Sequence, residues 1–345
     1  LKRKAAQLLL QTGDILVERS GGGPSQPVGR VVLVEHLPAG RWGFGNFIQR
    51  IRVQPNCEPR FVWAVLFWHW LKGSVLAFQE QTTGIRNLRW SDYLNLPIPL
   101  PPLEEQRRIA GVLRLVDEIA ERTRRIIRLY EKVKKHALNH LLTKGIGHSR
   151  FKQTEIGEIP EGWEVKRLAD VLALSQSGIW GDEPDGSEDV FPVLRSTEID
   201  HEGRLNLTSP SLAWRKVPQN RAMNYALKDG DILVVKSSGS RHLLGRVAYF
   251  RQQGTQIFLF SNFLHRLRAN ESICHSLFLY YVLISPIARK VLNMLQETTS
   301  GLRNLPMDEY LQMPIPLPPL EEQKQIAELL STLDKTIENE RRYLQ

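Results

Sequence analysis

A chain of 345 residues with 42% hydrophobic and 24% charged side chains has the balance of a folded protein, and room for two ordinary domains plus a connecting element. Its two cysteines, Cys57 and Cys274, exclude a disulfide framework and lack metal-ligand spacing, which suits a reducing cytoplasm. A formal net charge of +9 favours a polyanionic partner, nucleic acid first, because each neutralised phosphate releases bound counterions.

In chain order, Leu1 stands where an initiating Met would, which is expected of a fragment, and no signal-peptide pattern follows it. Gly13-Asp14-Ile15-Leu16-Val17 reads as a short strand and leads into the small-residue turn Arg19–Gly23. Phe61–Leu71 reads as a helix; it is the longest apolar run, is broken by His69, and falls short of the ~18 residues of a membrane span. After Pro97–Leu103, in which Pro101 and Pro102 suit an extended lead-in, a long helix begins with Glu104 and Glu105 at its positive end. Further on, Asp231–Val235, Arg246–Phe250 and Gln256–Phe260 read as strands and Ser276–Leu295 as helix, so each globular part is expected to be α+β with much antiparallel strand.

The chain repeats itself. Pro97-Ile98-Pro99-Leu100-Pro101-Pro102-Leu103-Glu104-Glu105-Gln106 recurs residue for residue as Pro314–Gln323, at an offset of 217 positions. Gly84–Leu88 meets Gly301–Leu305 and Gly13–Val17 meets Gly230–Val234 at that offset; Gly29-Arg30-Val31 and Asn46-Phe47 meet Gly245–Val247 and Asn262-Phe263 after a one-residue slip. Such a period is too long for a solenoid, so each unit is a domain with an attached helix. The counterpart of Glu161–Val217 is missing from the front, and the second helix stops before the counterpart of Leu142. The expected organisation is a first domain over 1–96, lacking its front, a first spacer helix and linker over 97–148, a second domain over 149–313 and a shortened second helix over 314–345.

In the first helix Ile109, Leu113, Val116, Ala120, Thr123, Ile127, Tyr130, Lys134, Ala137 and Leu141 alternate by four and three, as in a coiled coil. Ile326, Leu330, Leu333 and Ile337 repeat the pattern. A stripe of about 40 residues, or about 60 Å, seeks a second helix, and the duplicated one is the obvious partner. Antiparallel pairing would place the domains at opposite ends of a rod, a shape suited to separated DNA half-sites. The basic residues of the first helix, Arg107 to Lys135, form either a solvated face or a contact for phosphate or a partner.

Loops that can touch DNA are Arg19 and Ser20 in the first domain and Arg195-Ser196-Thr197, Lys236-Ser237-Ser238 and Arg241 in the second, with Arg86 and Arg303 after paired glycines. Small residues allow close approach to phosphate, and Arg or Lys reach guanine edges; hairpin turns remain the alternative. The tips diverge while the frame repeats, as expected if each half reads a different target. Catalytic patterns are missing: there is no Asn/Asp-Pro-Pro-aromatic motif, no ATP-binding Gly-x-x-x-x-Gly-Lys loop, no dinucleotide loop and no convincing nuclease carboxylate pair. His136 and His140 lie one helical turn apart without a third metal ligand nearby.

The paired Pro-Ile-Pro-Leu-Pro-Pro-Leu-Glu-Glu-Gln motifs, each followed by Ile-Ala, resemble the specificity (S) subunit of Type I restriction–modification systems. Thr154–Trp163, Phe191–Ser196 and Gly230–Leu233 are similar to that family's pattern as well. The resemblance implies a non-catalytic, cytoplasmic subunit whose two target recognition domains read the halves of a bipartite, asymmetric DNA site. It also implies helices that dock two adenine-N6 methyltransferase (M) subunits, joined by restriction (R) subunits. S-adenosylmethionine, ATP and Mg are then expected on those partners and no cofactor on this chain. The rival reading is a non-catalytic scaffold whose domains bind protein.

Overall fold

A computed structural model describes residues 9–21, 27–81, 85–186, 188–240, 242–297 and 304–344. The chain divides into two compact units, Leu1–Arg122 and Thr123–Gln345, with the boundary inside one long helix.

In the first unit β1 (Ile15–Glu18) is followed by β2 (Ser20–Gly21), β3 (Val31–Leu33), β4 (Ile48–Ile51), α1 (Pro59–Leu71), β5 (Gln79–Gln81), β6 (Arg86–Leu88), α2 (Trp90–Leu94) and the start of α3 (Leu103–Thr143). β1 lies between β3 and β4, antiparallel to both. Alternation along β1 turns Ile15 and Val17 into a core with Val31, Phe61, Leu66 and Leu88, while Leu16 and Glu18 face the other way. Pro59 starts α1 at a position where its missing N–H costs nothing, and the helix covers β3 with Phe61, Val62 and Leu66. A second small sheet, β2-β6-β5, carries the turn residues out of that core.

The second unit holds the end of α3, β7 (Phe151–Thr154), β8 (Gly157–Pro160), β9 (Glu164–Arg167), β10 (Leu172–Ser177), β11 (Val190–Leu194), β12 (Ala213–Lys216), α4 (Gln219–Tyr225), β13 (Ile232–Val235), β14 (Val247–Tyr249), β15 (Leu259–Phe260), β16 (Leu264–Ala269), α5 (Ser276–Ile284), α6 (Pro286–Glu297), α7 (Met307–Leu311), β17 (Pro314–Leu317) and α8 (Leu320–Arg342). Its main sheet is antiparallel in the order β10-β16-β13-β14. A smaller sheet, β12-β11-β15, contains a parallel pair, Val193 with Leu259 and Leu194 with Phe260. The run expected as a strand from Gln256 therefore contributes only its last residues, because the Gln252 side chain donates to the carbonyls of Gly254 and Gln256 and holds that stretch in a turn.

The duplication is a duplication of structure. Ile15 pairs with Leu33 and Ile51, and Ile232 pairs with Tyr249 and Leu267, so β3-β1-β4 and β14-β13-β16 share one register. Buried Asp14 takes two hydrogen bonds from Arg52, at 2.6 and 2.7 Å, and one from the Gln11 amide; Asp231 takes the same set from Arg268, at 2.6 and 2.7 Å, and the Lys228 amide. Sequence position thus converts to spatial position between the copies.

In the second unit the last third of α3 runs antiparallel to α8: Ile146 N–H donates to Glu322, Lys134 pairs with Asp334, and Glu131 pairs with Arg341. Leu138 and Leu142 join Ile326, Ala327 and Leu330 in the core. Glu322 also accepts Trp163 Nε1 at 2.9 Å and contacts His148 Nε2 at 2.8 Å, which fixes the linker after α3. Gly145, at φ +64°, sits in that joint; a Cβ there would meet Glu322 Oε1 at 2.5 Å and the Trp163 ring at 2.6 Å.

Of the residues expected on the helix stripe, Ile326 and Leu330 are fully buried, Ile127 and Ile337 nearly so, and Leu113, Tyr130 and Leu333 half-buried. Ile109 and Val116 depart from the expectation, being 37% and 57% exposed. In the first unit the inward face is centred on Gln106 and Ala110, which pack into the domain, and Ile109 and Val116 lie roughly a quarter-turn around from that centre.

Candidate nucleic-acid interface

In the first unit the strand ladder ends in a clamp. Just past the last β1–β4 rung, Glu18 with Ile48, the amides of Arg19 and Ser20 both donate to the Phe47 carbonyl, at 2.8 and 3.2 Å. The Arg19 carbonyl accepts the Leu88 amide at 2.7 Å, and Ser20 Oγ donates to Asn87 Oδ1 at 2.7 Å. Pairing of Ser20 with Asn87 and Gly21 with Arg86 brings Arg86 beside the turn. Arg19 is exposed and Ser20 half-buried, so the backbone is fixed while the cation points to solvent.

The second unit repeats the clamp. Lys236 and Ser237 amides donate to the Phe263 carbonyl at 3.0 and 3.2 Å, the Lys236 carbonyl accepts the Leu305 amide at 2.7 Å, and Ser237 bridges to Asn304. Behind it lies a polar cluster that the sequence did not signal. Lys236 Nζ donates to Ser177 Oγ at 2.7 Å, and His265, 7% exposed, lies between Ser175 Oγ at 2.8 Å and Ser177 Oγ at 3.3 Å. Burial, with the Lys236 charge second, pushes the imidazole down to about 4, so His265 is neutral near pH 7. Ser238 Oγ accepts the Ser240 amide at 3.1 Å and shapes the tip.

Arg195-Ser196-Thr197 follows β11 at a turn where the Ser261 amide donates to the Leu194 carbonyl. The Arg195 guanidinium is engaged within the domain: it holds the buried Glu198 carboxylate, with Nη2 to Oε1 at 2.9 Å, and the Ser211 carbonyl. A buried carboxylate needs such a cation, and Glu198 also accepts the hydroxyl of exposed Thr197, so both Arg195 and Thr197 are engaged within the domain. Arg241, Arg303, Gly22 and Gly23 lie outside the described residues.

Two further features were missed. Phe47 and Phe263, whose carbonyls close the two clamps, are both 53% exposed. Their repetition in the duplicated sequence was a usable signal. Arg215 lies over the Trp180 ring at 4.4 Å and pairs with Glu183, a contact between segments with no sequence signal. Among the described residues no group of three or more His, Cys, Asp or Glu is placed to hold a metal ion, and no single helix is long and apolar enough to cross a membrane.

The profile of the family described as Type I restriction modification DNA specificity domain matches residues 2–154 and 160–345, twice over and nearly end to end. The chain belongs to that family. This specificity chain is 33% identical to the MjaVIII specificity subunit of Methanocaldococcus jannaschii over 283 residues, which is 79% of the chain and 63% of that relative. It therefore spans somewhat less than two thirds of that relative's length. With the EcoKI specificity subunit of Escherichia coli K12 it shares 23% identity over 330 residues, 93% of the chain and 67% of that protein. The crystal structure of the Type-I restriction-modification system S subunit from M. genitalium matches with a TM-score of 0.60 at 16% identity, over 98% of this chain and 80% of that one. That likeness concerns the fold, two α+β domains joined by long helices.

Proposed function

We propose that this chain is the DNA-reading subunit of a type I restriction–modification complex, in which each domain reads one half of a bipartite, asymmetric site. The observation that carries the reading is the pair of clamps: one backbone frame, in one register, presents Arg19-Ser20 in one unit and Lys236-Ser237 in the other. Identical frames with different tips suit two half-sites of different sequence, with phosphate contacts positioning and tip side chains specifying. The helices would dock two methyltransferase subunits, and restriction subunits would complete the nuclease. S-adenosylmethionine, ATP and Mg would be held by those partners, so this chain would bind DNA without catalysing a step, in the cytoplasm. Titration of duplex DNA at several salt concentrations tests the reading. Lys236→Ala and Arg19→Ala should each weaken binding and flatten the dependence of log K on log salt by about one unit. Binding insensitive to both changes would remove the clamps from the interface.

A further inference from the structure

Lone exposed hydrophobic residues are ordinary on protein surfaces and need no explanation. Phe47 and Phe263 are not lone. They are the same residue at the same turn of the two copies, they are equally exposed at 53%, and the tips beyond them have diverged to Gly21-Gly22-Gly23 and Ser238-Gly239-Ser240. Neither ring belongs to the cores of its unit. Each is nonetheless held firmly, because its carbonyl receives two amide donors from the facing strand. The ladder ends at Glu18 with Ile48 and at Val235 with Leu264, and there two residues oppose one as in a bulge: Arg19 and Ser20 lie against Phe47, and Lys236 and Ser237 against Phe263.

Each unit therefore has a basic–aromatic pair at the end of its central sheet, with the Arg19 cation exposed in the first and the Lys236 ammonium half-buried on Ser177 Oγ in the second. We propose that Phe47 and Phe263 are apolar contacts to DNA, one per half-site, pressing on the bases beside the clamp that carries Arg19 or Lys236. This rests on the DNA-reading function above and adds a contact to it. A residue identical in both copies cannot tell two different half-sites apart. A ring that stacks on bases or wedges between them serves any sequence, since every base has an apolar face. The pair would thus divide its work: the cation supplies the salt-dependent attraction and the ring a salt-independent one.

The test uses the full chain with its methyltransferase subunit and a duplex carrying the sequence that the unmodified protein enriches from random DNA. Phe47→Ala and Phe263→Ala remove exposed rings, so unchanged melting curves establish that each variant folds. Each should weaken binding of the enriched duplex roughly tenfold while leaving the slope of log K against log salt as it was. Lys236→Ala should instead reduce that slope. Unchanged affinity in both Phe variants overturns the inference. So does weaker assembly with the methyltransferase at undiminished DNA affinity of the assembled complex, which would place the rings against protein. Failure of the underlying reading would be seen separately, as an absence of any enriched sequence with the unmodified chain.

Discussion

Gln106 and Gln323, 217 residues apart, make the same hydrogen bonds in the two copies: Oε1 accepts the amide of Glu58 at 2.9 Å or of His275 at 2.8 Å, and Nε2 donates to the carbonyl of Pro101 or Pro318, at 2.8 Å in both. Both side chains are buried, and each joins the start of a long helix to the residue before α1 or α5. The last residue of the ten-residue motif is thus a latch between spacer helix and domain. Gln323→Leu would leave a buried amide and two carbonyls without partners. A loss of about 2–4 kcal/mol is expected by urea unfolding. A change under about 0.5 kcal/mol would show that water replaces the latch.

The helix pairing separates buried from exposed apolar positions. Leu330→Ala removes a fully buried side chain and should cost about 2–5 kcal/mol, whereas Val116→Ala, at an exposed site, should stay within about 0.5 kcal/mol. Ile127→Asp places a charge at a nearly buried position and should lower the melting temperature clearly. Equal losses at Leu330 and Val116 would mean that the burial seen along the helices is not what stabilises them.

The pattern of fours and threes located the helices and their pairing partner, because a long stripe has few other uses. It did not reveal which residues at the first end face inward. There Gln106 and Ala110 pack into the domain, and a small residue leaves no mark in a count of apolar positions. The clamp loops were legible as glycine-flanked Arg19 and Lys236, whereas Asn46-Phe47 and Asn262-Phe263 were visible only as part of the repeat. His265 was not, since its partners Ser175 and Ser177 come from β10, far away in sequence and without a counterpart in the first copy. Likewise Arg195 read as a free cation until folding placed buried Glu198 and the Ser211 carbonyl around it.

His265 should make the second unit sensitive to mild acid. Its folded value of about 4 lies below the ordinary value of 6.5, so the unfolded chain binds the extra proton between those limits. Stability from the neutral imidazole is complete above about pH 6.5 and is lost progressively as the pH falls toward 4. His265→Gln should flatten the fall in unfolding free energy across that window. An unaltered pH profile would show that the ring is accessible to protons in the folded state.

Asp14 acts lower on the scale. Burial raises its pKa, but the Arg52 hydrogen bonds, the Gln11 amide and the Arg50 charge outweigh burial and leave the carboxyl below its ordinary 3.8. A depressed acid stabilises the fold above its unfolded pKa, and that stability is lost as the pH drops through the folded value. Asp14→Asn should therefore destabilise the protein at pH 7 and shrink its loss of stability below about pH 4. Parallel acid profiles for the two proteins would contradict the pairing.

The central claim is that two domains of one frame read two different DNA half-sites. Selection from random duplex DNA at near-physiological salt, using the chain with the methyltransferase subunit proposed as its partner, tests it most directly. Two short enriched blocks of different sequence, separated by a constant gap, are the expected result. No enrichment by a correctly assembled complex would contradict the account and favour a protein-binding scaffold.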